Sequence, residues 1–241
     1  MLRLRLSDHH ASGRRYAQPL LDSGLLVGRI SHMCGRYVMS KATSDLLSYF
    51  DAKEVEGTPP SPSWNVAPTQ DVPIIAERLD EGTIDRHLLI AKWGLVPSWA
   101  KDIKIGSKLI NARSETILEK PSFRKAAVKR RAILPAEGYY EWQKTEDGKK
   151  IPNYLFSEQV PLLGFAGLYE FWPDPELPED DPGRWLLSCT VLTTTTQDAL
   201  GHVHDRSPVI IPKERFADWL DRISQTKPMC SSCWTRCLSR C

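Results

Sequence analysis

No stretch of this 241-residue chain approaches the roughly 20 consecutive apolar residues that a membrane-spanning helix needs. Residues 1–32 also lack the continuous apolar centre of a secretory signal, which argues against export. There is no glycine-rich nucleotide-binding loop and no internal repeat. Net charge is nearly absent as well, at +2 for the whole chain. Five of the 32 basic residues and two of the 30 acidic ones precede Met33, so the remainder carries 27 against 28, a net of −1. Binding to nucleic acid must then come from a local patch rather than from the overall field. Six cysteines do not make a secreted framework: Cys34 and Cys189 stand alone and the other four crowd into residues 230–241. A reducing compartment fits that distribution, cytoplasmic (nucleoid-associated) or nuclear.

Tryptophan and proline are plentiful, eight and eighteen residues respectively. After Met33 the periodicity reads as one mixed domain. "KATSDLLSYF" is a short helix capped by Thr43 or Ser44. "DVPIIAE" and "DRHLLIAKW" are strands joined through "LDEGT", and "GYYEWQK" and "KIPNYLF" flank a turn at Asp147-Gly148. "SFRKAAVKRR" suits a basic helix whose Arg124, Lys125, Lys129, Arg130 and Arg131 form a solvated face. "RAILPA", "LLGFAGLYEFW" and "WLLSCTVLTT" add strands, the last two around an acidic loop at 170–183. "PKERFADWLDRI" closes as a helix. Many strands with few interspersed helices predict an α+β fold, a single mixed domain with a barrel-like, largely antiparallel sheet core and a few peripheral helices. The expected boundaries are an N-terminal extension at 1–32, a catalytic domain at 33–228 and a Cys-rich tail at 229–241. The extension reads as a start codon assigned too early or as a targeting segment.

"SHMCGRY" (31–37) sets Met33 directly before Cys34. Removal of an initiator methionine there would give Cys34 a free α-amine, with a reference pKa near ~7.7–8, beside a thiol near ~8.5. With an aldehyde, such an amine forms a Schiff base and the thiol closes a five-membered thiazolidine. An interior cysteine cannot do this, because its nitrogen is an amide. The ordinary alternative for a lone cysteine is a small buried hydrophobe.

Six blocks follow one another: "MCGRY" (33–37), "WNVAPTQ" (64–70), "WGLVPSWA" (93–100), "NARSET" (111–116), "EGYYEW" (137–142) and "HDRSP" (204–208). In this order, over about residues 33 to 222, they resemble the SRAP (SOS response-associated peptidase) family. The resemblance implies processing of abasic sites in single-stranded DNA, with a thiazolidine formed between the exposed cysteine and the ring-opened sugar. It implies catalytic roles for Cys34, Asn111, Glu141 and His204, and it carries the family's conserved arginine onto Arg113. It also implies a self-processing peptidase activity that frees Cys34.

The residue types suit these roles. Asn111 and Arg113 lie two apart, hence on one face of a strand, where Asn can orient the amine or sugar and Arg can pair with phosphate. Otherwise they form a surface turn. Glu141 shares a strand face with Tyr139 and Glu137 and offers a proton relay; otherwise it is a solvated strand-face carboxylate. His204 suits proton transfer near neutrality, and His202-x-His204 could instead ligate a metal. Arg36, Asn65, Trp99, Arg113 and Trp142 are candidate DNA contacts, with Trp93 as a further stacking ring. At least half of the eight tryptophans are expected in the core.

Two departures stand out. The extension would hold the Cys34 nitrogen in an amide. Cys230, Cys233, Cys237 and Cys241 have a spacing compatible with zinc or an iron–sulfur cluster, yet a truncated or frame-shifted tail explains them better, leaving a barrel edge open. The expected metal and cofactor content is none. The expected partner is single-stranded DNA bearing abasic sites, met by a monomer without membrane contact. An N-terminal-nucleophile hydrolase acting on peptide or amide bonds and a non-catalytic single-stranded DNA-binding module are the alternatives.

Overall fold

The computed structural model describes residues 4–6, 35–80, 82–196 and 203–221. In chain order the elements are β1 (Leu4–Leu6), β2 (Arg36–Met39), α1 (Thr43–Phe50), β3 (Glu54–Glu56), β4 (Ser63–Val66), β5 (Asp71–Asp80) and β6 (Thr83–Trp93). Then come β7 (Asn111–Arg113), α2 (Pro121–Lys129), β8 (Arg131–Ala136), β9 (Gly138–Lys144), β10 (Lys150–Ser157) and β11 (Leu163–Pro173). The last are β12 (Trp185–Thr195), β13 (Arg206–Pro208), β14 (Ile210–Ile211) and α3 (Phe216–Leu220). Among the described residues no helix is long and apolar enough to cross a membrane.

Five strands close a barrel in the order β5–β6–β12–β11–β8 and back to β5. Four of its seams are antiparallel; the fifth, β6 against β12, is parallel and holds two residue pairs, Ser188↔Lys92 and Cys189↔Trp93. That seam answers the expectation of an open barrel edge: among the described residues the barrel is closed without the Cys-rich tail. The long hairpin follows from its turn. Asp80 pairs with Thr83, and Gly82 at φ +87° takes the left-handed geometry that two-residue turns require. Ile74, Ile75, Leu88 and Leu89 are fully buried, so these strands read as unbroken apolar runs.

A second sheet, β1–β10–β9–β2–β4, is antiparallel throughout. Its inner face is fixed to the barrel by aromatic rings. Tyr37 meets Trp93 edge-on at 5.2 Å, and Phe165 lies 6.1 Å from Tyr37 and 5.7 Å from Tyr139. All four are completely buried. β1, from the N-terminal extension, lies along the outer edge of β10, with Leu4↔Ser157 and Leu6↔Leu155.

Some local expectations need correction. Neither Thr43 nor Ser44 caps α1: Thr43 is already helical, and Ala42 stands at the cap without a side-chain bond. Only Arg124, Lys125 and Lys129 form the solvated basic face of α2. Arg131 is buried in β8, with its guanidinium 5.5 Å from the Trp219 ring centre, and Arg130 pairs at 2.8 Å with buried Glu170. Glu170 is therefore part of β11 rather than of a solvated acidic loop. The closing helix is one turn of 3-10 helix at Lys213–Arg215 followed by the short α3. Three of the seven described tryptophans, Trp93, Trp172 and Trp219, are buried; Trp234 lies outside the described residues.

Phe165 is the ring that both inter-sheet tyrosines share. Phe165→Ala should lower the unfolding free energy by about 3–5 kcal/mol, read as a shift in the urea midpoint at unchanged slope.

Candidate functional site

The site is built at two places in the fold. The first is the start of β2. Arg36 pairs with Tyr140 and Tyr37 with Tyr139, so one further step of the ladder sets buried Gly35 across from Glu141. Glu141 points to the same inner face as Tyr139 and is only 2% exposed, with Asn153, also buried, across from it on β10. A solvated strand-face carboxylate is thus excluded. Glu137, expected on the same strand face, instead precedes β9 and accepts hydrogen bonds from the Ser40 backbone N–H at 2.6 Å and from Ser40 Oγ at 2.7 Å. It clasps the far end of β2, which separates the roles of the two glutamates on structural grounds. Cys34 lies outside the described residues.

On the other face of β2, Arg36 Nη1 donates to Asn65 Oδ1 at 3.0 Å, joining two of the predicted DNA contacts. Next to Asn65, Trp64 is 67% exposed, a ring that the sequence reading passed over although it opens the "WNVAPTQ" block. Trp99 is exposed and Trp142 is half-buried opposite Pro152. Trp93 is not a stacking ring: it is fully buried, and its indole N–H donates to the Ile110 carbonyl at 2.9 Å. That bond fixes the residue preceding Asn111, so Trp93 positions the site from within the core.

The second place is the end of β12. β7 lies parallel to it, with Val191↔Asn111 and Thr193↔Arg113. Asn111 is half-buried and Arg113 exposed, in a strand rather than a surface turn. On the opposite side of β12, β13 places Arg206. Arg206 grips Glu115 with both terminal nitrogens, at 2.8 and 2.9 Å, and donates to the Thr193 carbonyl at 2.7 Å. Burial pushes the Glu115 carboxyl up, but the hydrogen bonds and charge of Arg206 outweigh it and hold the group below its usual range. This ion pair ties "NARSET" to "HDRSP". Sequence reasoning missed both residues, although opposite charges within two of the motif blocks were the available signal. His204 is half-buried, and its Nδ1 accepts the Arg206 backbone N–H at 3.0 Å, with Asp205 Oδ1 3.1 Å away. The imidazole is therefore seated by the same arginine that holds Glu115.

His202 and the four C-terminal cysteines lie outside the described residues. Among the described residues no group of three His, Cys, Asp or Glu side chains comes together as a metal site. Burial pushes the Cys189 thiol far up, which removes it as a competing nucleophile. A cleft of about 400 Å³ opens at the far end of β2, lined by Met39, Lys41, Pro60, Pro62, Gln70 and Lys92. It includes none of the predicted site residues, although Val66, Thr69 and Gln70 of the "WNVAPTQ" block line it.

A family model described as SOS response associated peptidase (SRAP) matches residues 33–238. The chain is 42% identical over 191 residues to abasic site processing protein YoqW of Bacillus subtilis, covering 78% of this chain and 80% of that one. It is 28% identical over 227 residues to abasic site processing protein HMCES of Xenopus tropicalis, covering 78% and 66%. Among solved structures, a protein from Bacteroides thetaiotaomicron superposes with a TM-score of 0.70 at 25% identity, covering 85% of this chain and 86% of that one. A protein from Bordetella bronchiseptica does so at 0.66 and 26% identity, covering 85% and 93%.

The Glu115–Arg206 pair makes a pH prediction. A depressed carboxyl pKa adds stability that is present above the unfolded value, near ~4.3, and is lost as pH falls through the folded value. Glu115→Gln should cost about 1 kcal/mol at pH 7, the size of a bidentate pair partly open to water. It should also flatten the loss of stability below about pH 4. Urea midpoints across that range check both.

Proposed function

The chain belongs to the SOS response-associated peptidase family, and we propose that it is an abasic-site processing protein that crosslinks to single-stranded DNA through Cys34. The observation that carries the reading is Glu141, a buried carboxylate across the ladder from Gly35, the residue bonded to Cys34. The names of the two relatives described above support it. Release of the residues before Cys34, by the self-processing peptidase activity that the family's name carries, supplies the free amine. That step adds one water across the Met33–Cys34 peptide bond.

The reaction then balances with loss of one water. The Cys34 amine adds to the C1′ aldehyde of the ring-opened sugar. The resulting hydroxyl leaves as water with a proton relayed by Glu141, and an imine forms. The thiol sulfur adds to the imine carbon, its proton passes to nitrogen, and the thiazolidine is closed. Asn111 orients the amine or the sugar hydroxyls, and His204 moves protons during ring opening. Arg113 and Arg36 pair with phosphates, with Asn65 holding the Arg36 guanidinium. Trp99, Trp142 and the exposed Trp64 offer rings for unstacked bases. The protein acts on DNA as a monomer, in the cytoplasm or nucleus.

A chain begun at Met33 should give a denaturant-resistant adduct with a single-stranded oligonucleotide carrying one abasic site. Cys34→Ala in that chain should give none, and the unprocessed full chain should give none. Glu141→Gln should slow adduct formation by about 10²–10⁴-fold. An undiminished adduct from Cys34→Ala, seen on a denaturing gel, would sink the proposal.

A further inference from the structure

Between β6 and β7 the chain makes an excursion, residues 94–109, that is pinned at its base. Gly94 N–H donates to the Cys189 carbonyl at 2.8 Å and Leu95 N–H to the Leu109 carbonyl at 3.2 Å. The backbones of Gly94 and Gly106 touch, so that a Cβ on either would sit 2.6 Å from the other's carbonyl oxygen. The inner face is a small core of its own: Val96, Ala100 and Trp172, with Ile105 and Leu186 packed against it. The Trp172 indole donates to the Ala100 carbonyl at 2.7 Å, and Val96 N–H to Ser188 Oγ at 2.9 Å. Both ends and the inner face are fixed, so the outer face is presented rigidly.

That outer face sets exposed apolar groups beside cations. Trp99 is 58% exposed and Ile103 42%, and Lys101, Lys104 and Lys108 are all exposed. Lys101 and Lys108 enter no ion pair among the described residues. The one carboxylate in the stretch, Asp102, is engaged locally: Oδ1 accepts the Lys104 backbone N–H at 2.8 Å, and Oδ2 lies 3.5 Å from Lys104 Nζ. The 3-10 helix Ile103–Lys108 that carries two of these lysines runs directly into Asn111 and Arg113.

We propose that Lys101, Lys104 and Lys108 form a phosphate rail that holds the single strand flanking the abasic nucleotide, with Trp99 and Ile103 against its bases. The proposal rests on the DNA reading above and adds to it a subsite that supplies sequence-independent affinity. Ammonium groups on long stems suit a polyanion whose spacing varies, and an aromatic beside them suits any base. An acidic protein surface is the competing occupant.

The test uses the full chain and a short single-stranded oligonucleotide without an abasic site, so that binding is read apart from chemistry. Each lysine–phosphate contact on a single strand contributes about 0.7 to the slope of log K against log salt. The triple variant Lys101→Gln, Lys104→Gln, Lys108→Gln should lose about 2 from that slope, with the melting temperature unchanged. A control triple, Arg124→Gln, Lys125→Gln, Lys129→Gln on the face of α2, removes the same charge and should leave the slope intact. An unchanged slope in the rail variant, as an acidic-protein surface would give, overturns the proposal, and so does an equal loss in the control. The two readings fail separately. Oligonucleotide binding with a rail-dependent slope but no adduct from the Met33 chain removes the crosslinking function and leaves the rail. An adduct with an unchanged slope does the reverse.

Discussion

β12 is the strand on which the rest of the molecule depends. It pairs with β11 along seven residues, with β13 at its end, and in parallel with both β6 and β7. The β6 seam closes the barrel; the β7 and β13 seams carry the second part of the candidate site. A strand so fully shared has no free face, and its residues from Ser188 to Thr193 are buried whether apolar or polar. Ser188 shows how such a position is made tolerable, its hydroxyl accepting from Val96 N–H while lying 3.4 Å from the Glu170 carbonyl. A slip of one residue along β12 would move Asn111, Arg113 and Arg206 together.

The inner faces of the two sheets set the second constraint. Tyr37 and Tyr139 stand opposite each other across β2 and β9, and their rings wedge against Trp93 and Phe165 of the barrel. Glu141 continues the Tyr139 row, so a carboxylate is carried to the end of a row otherwise occupied by rings. Buried Glu170 is matched by Arg130, and Glu115, exposed at the rim, by Arg206. Burying a carboxylate on a rigid ladder aims it without the entropy that a surface glutamate loses on ordering.

Much of this was legible in the chain. Alternation and turn residues marked nearly every strand from β5 to β12, and six short blocks marked the family and the candidate site. What escaped were facts of long-range pairing. Burial of Trp93 depends on which face of β6 meets Tyr37, and no local pattern tells a core indole from an exposed one. Arg131 reads as the end of a basic helix until β8 begins at it and Trp219 covers it. The closing seam between β6 and β12 is two residue pairs long, too short to leave a periodic signal. Glu115 and Arg206 are 91 residues apart and meet only because β12 lies between the elements that carry them.

The short strand β1 bears on the cleavage proposed before Cys34. Three residues contribute only a few ladder hydrogen bonds to β10, each worth about 1 kcal/mol net. As part of one chain that is enough, because the segment has no translational freedom to lose. As a separate peptide it would have to overcome an association cost of roughly 4–15 kcal/mol. By these bonds alone, a strand cut from the chain would not be held on β10. Loss of β1 would convert β10, with Ile151 half-exposed near its start, from an interior strand into an edge.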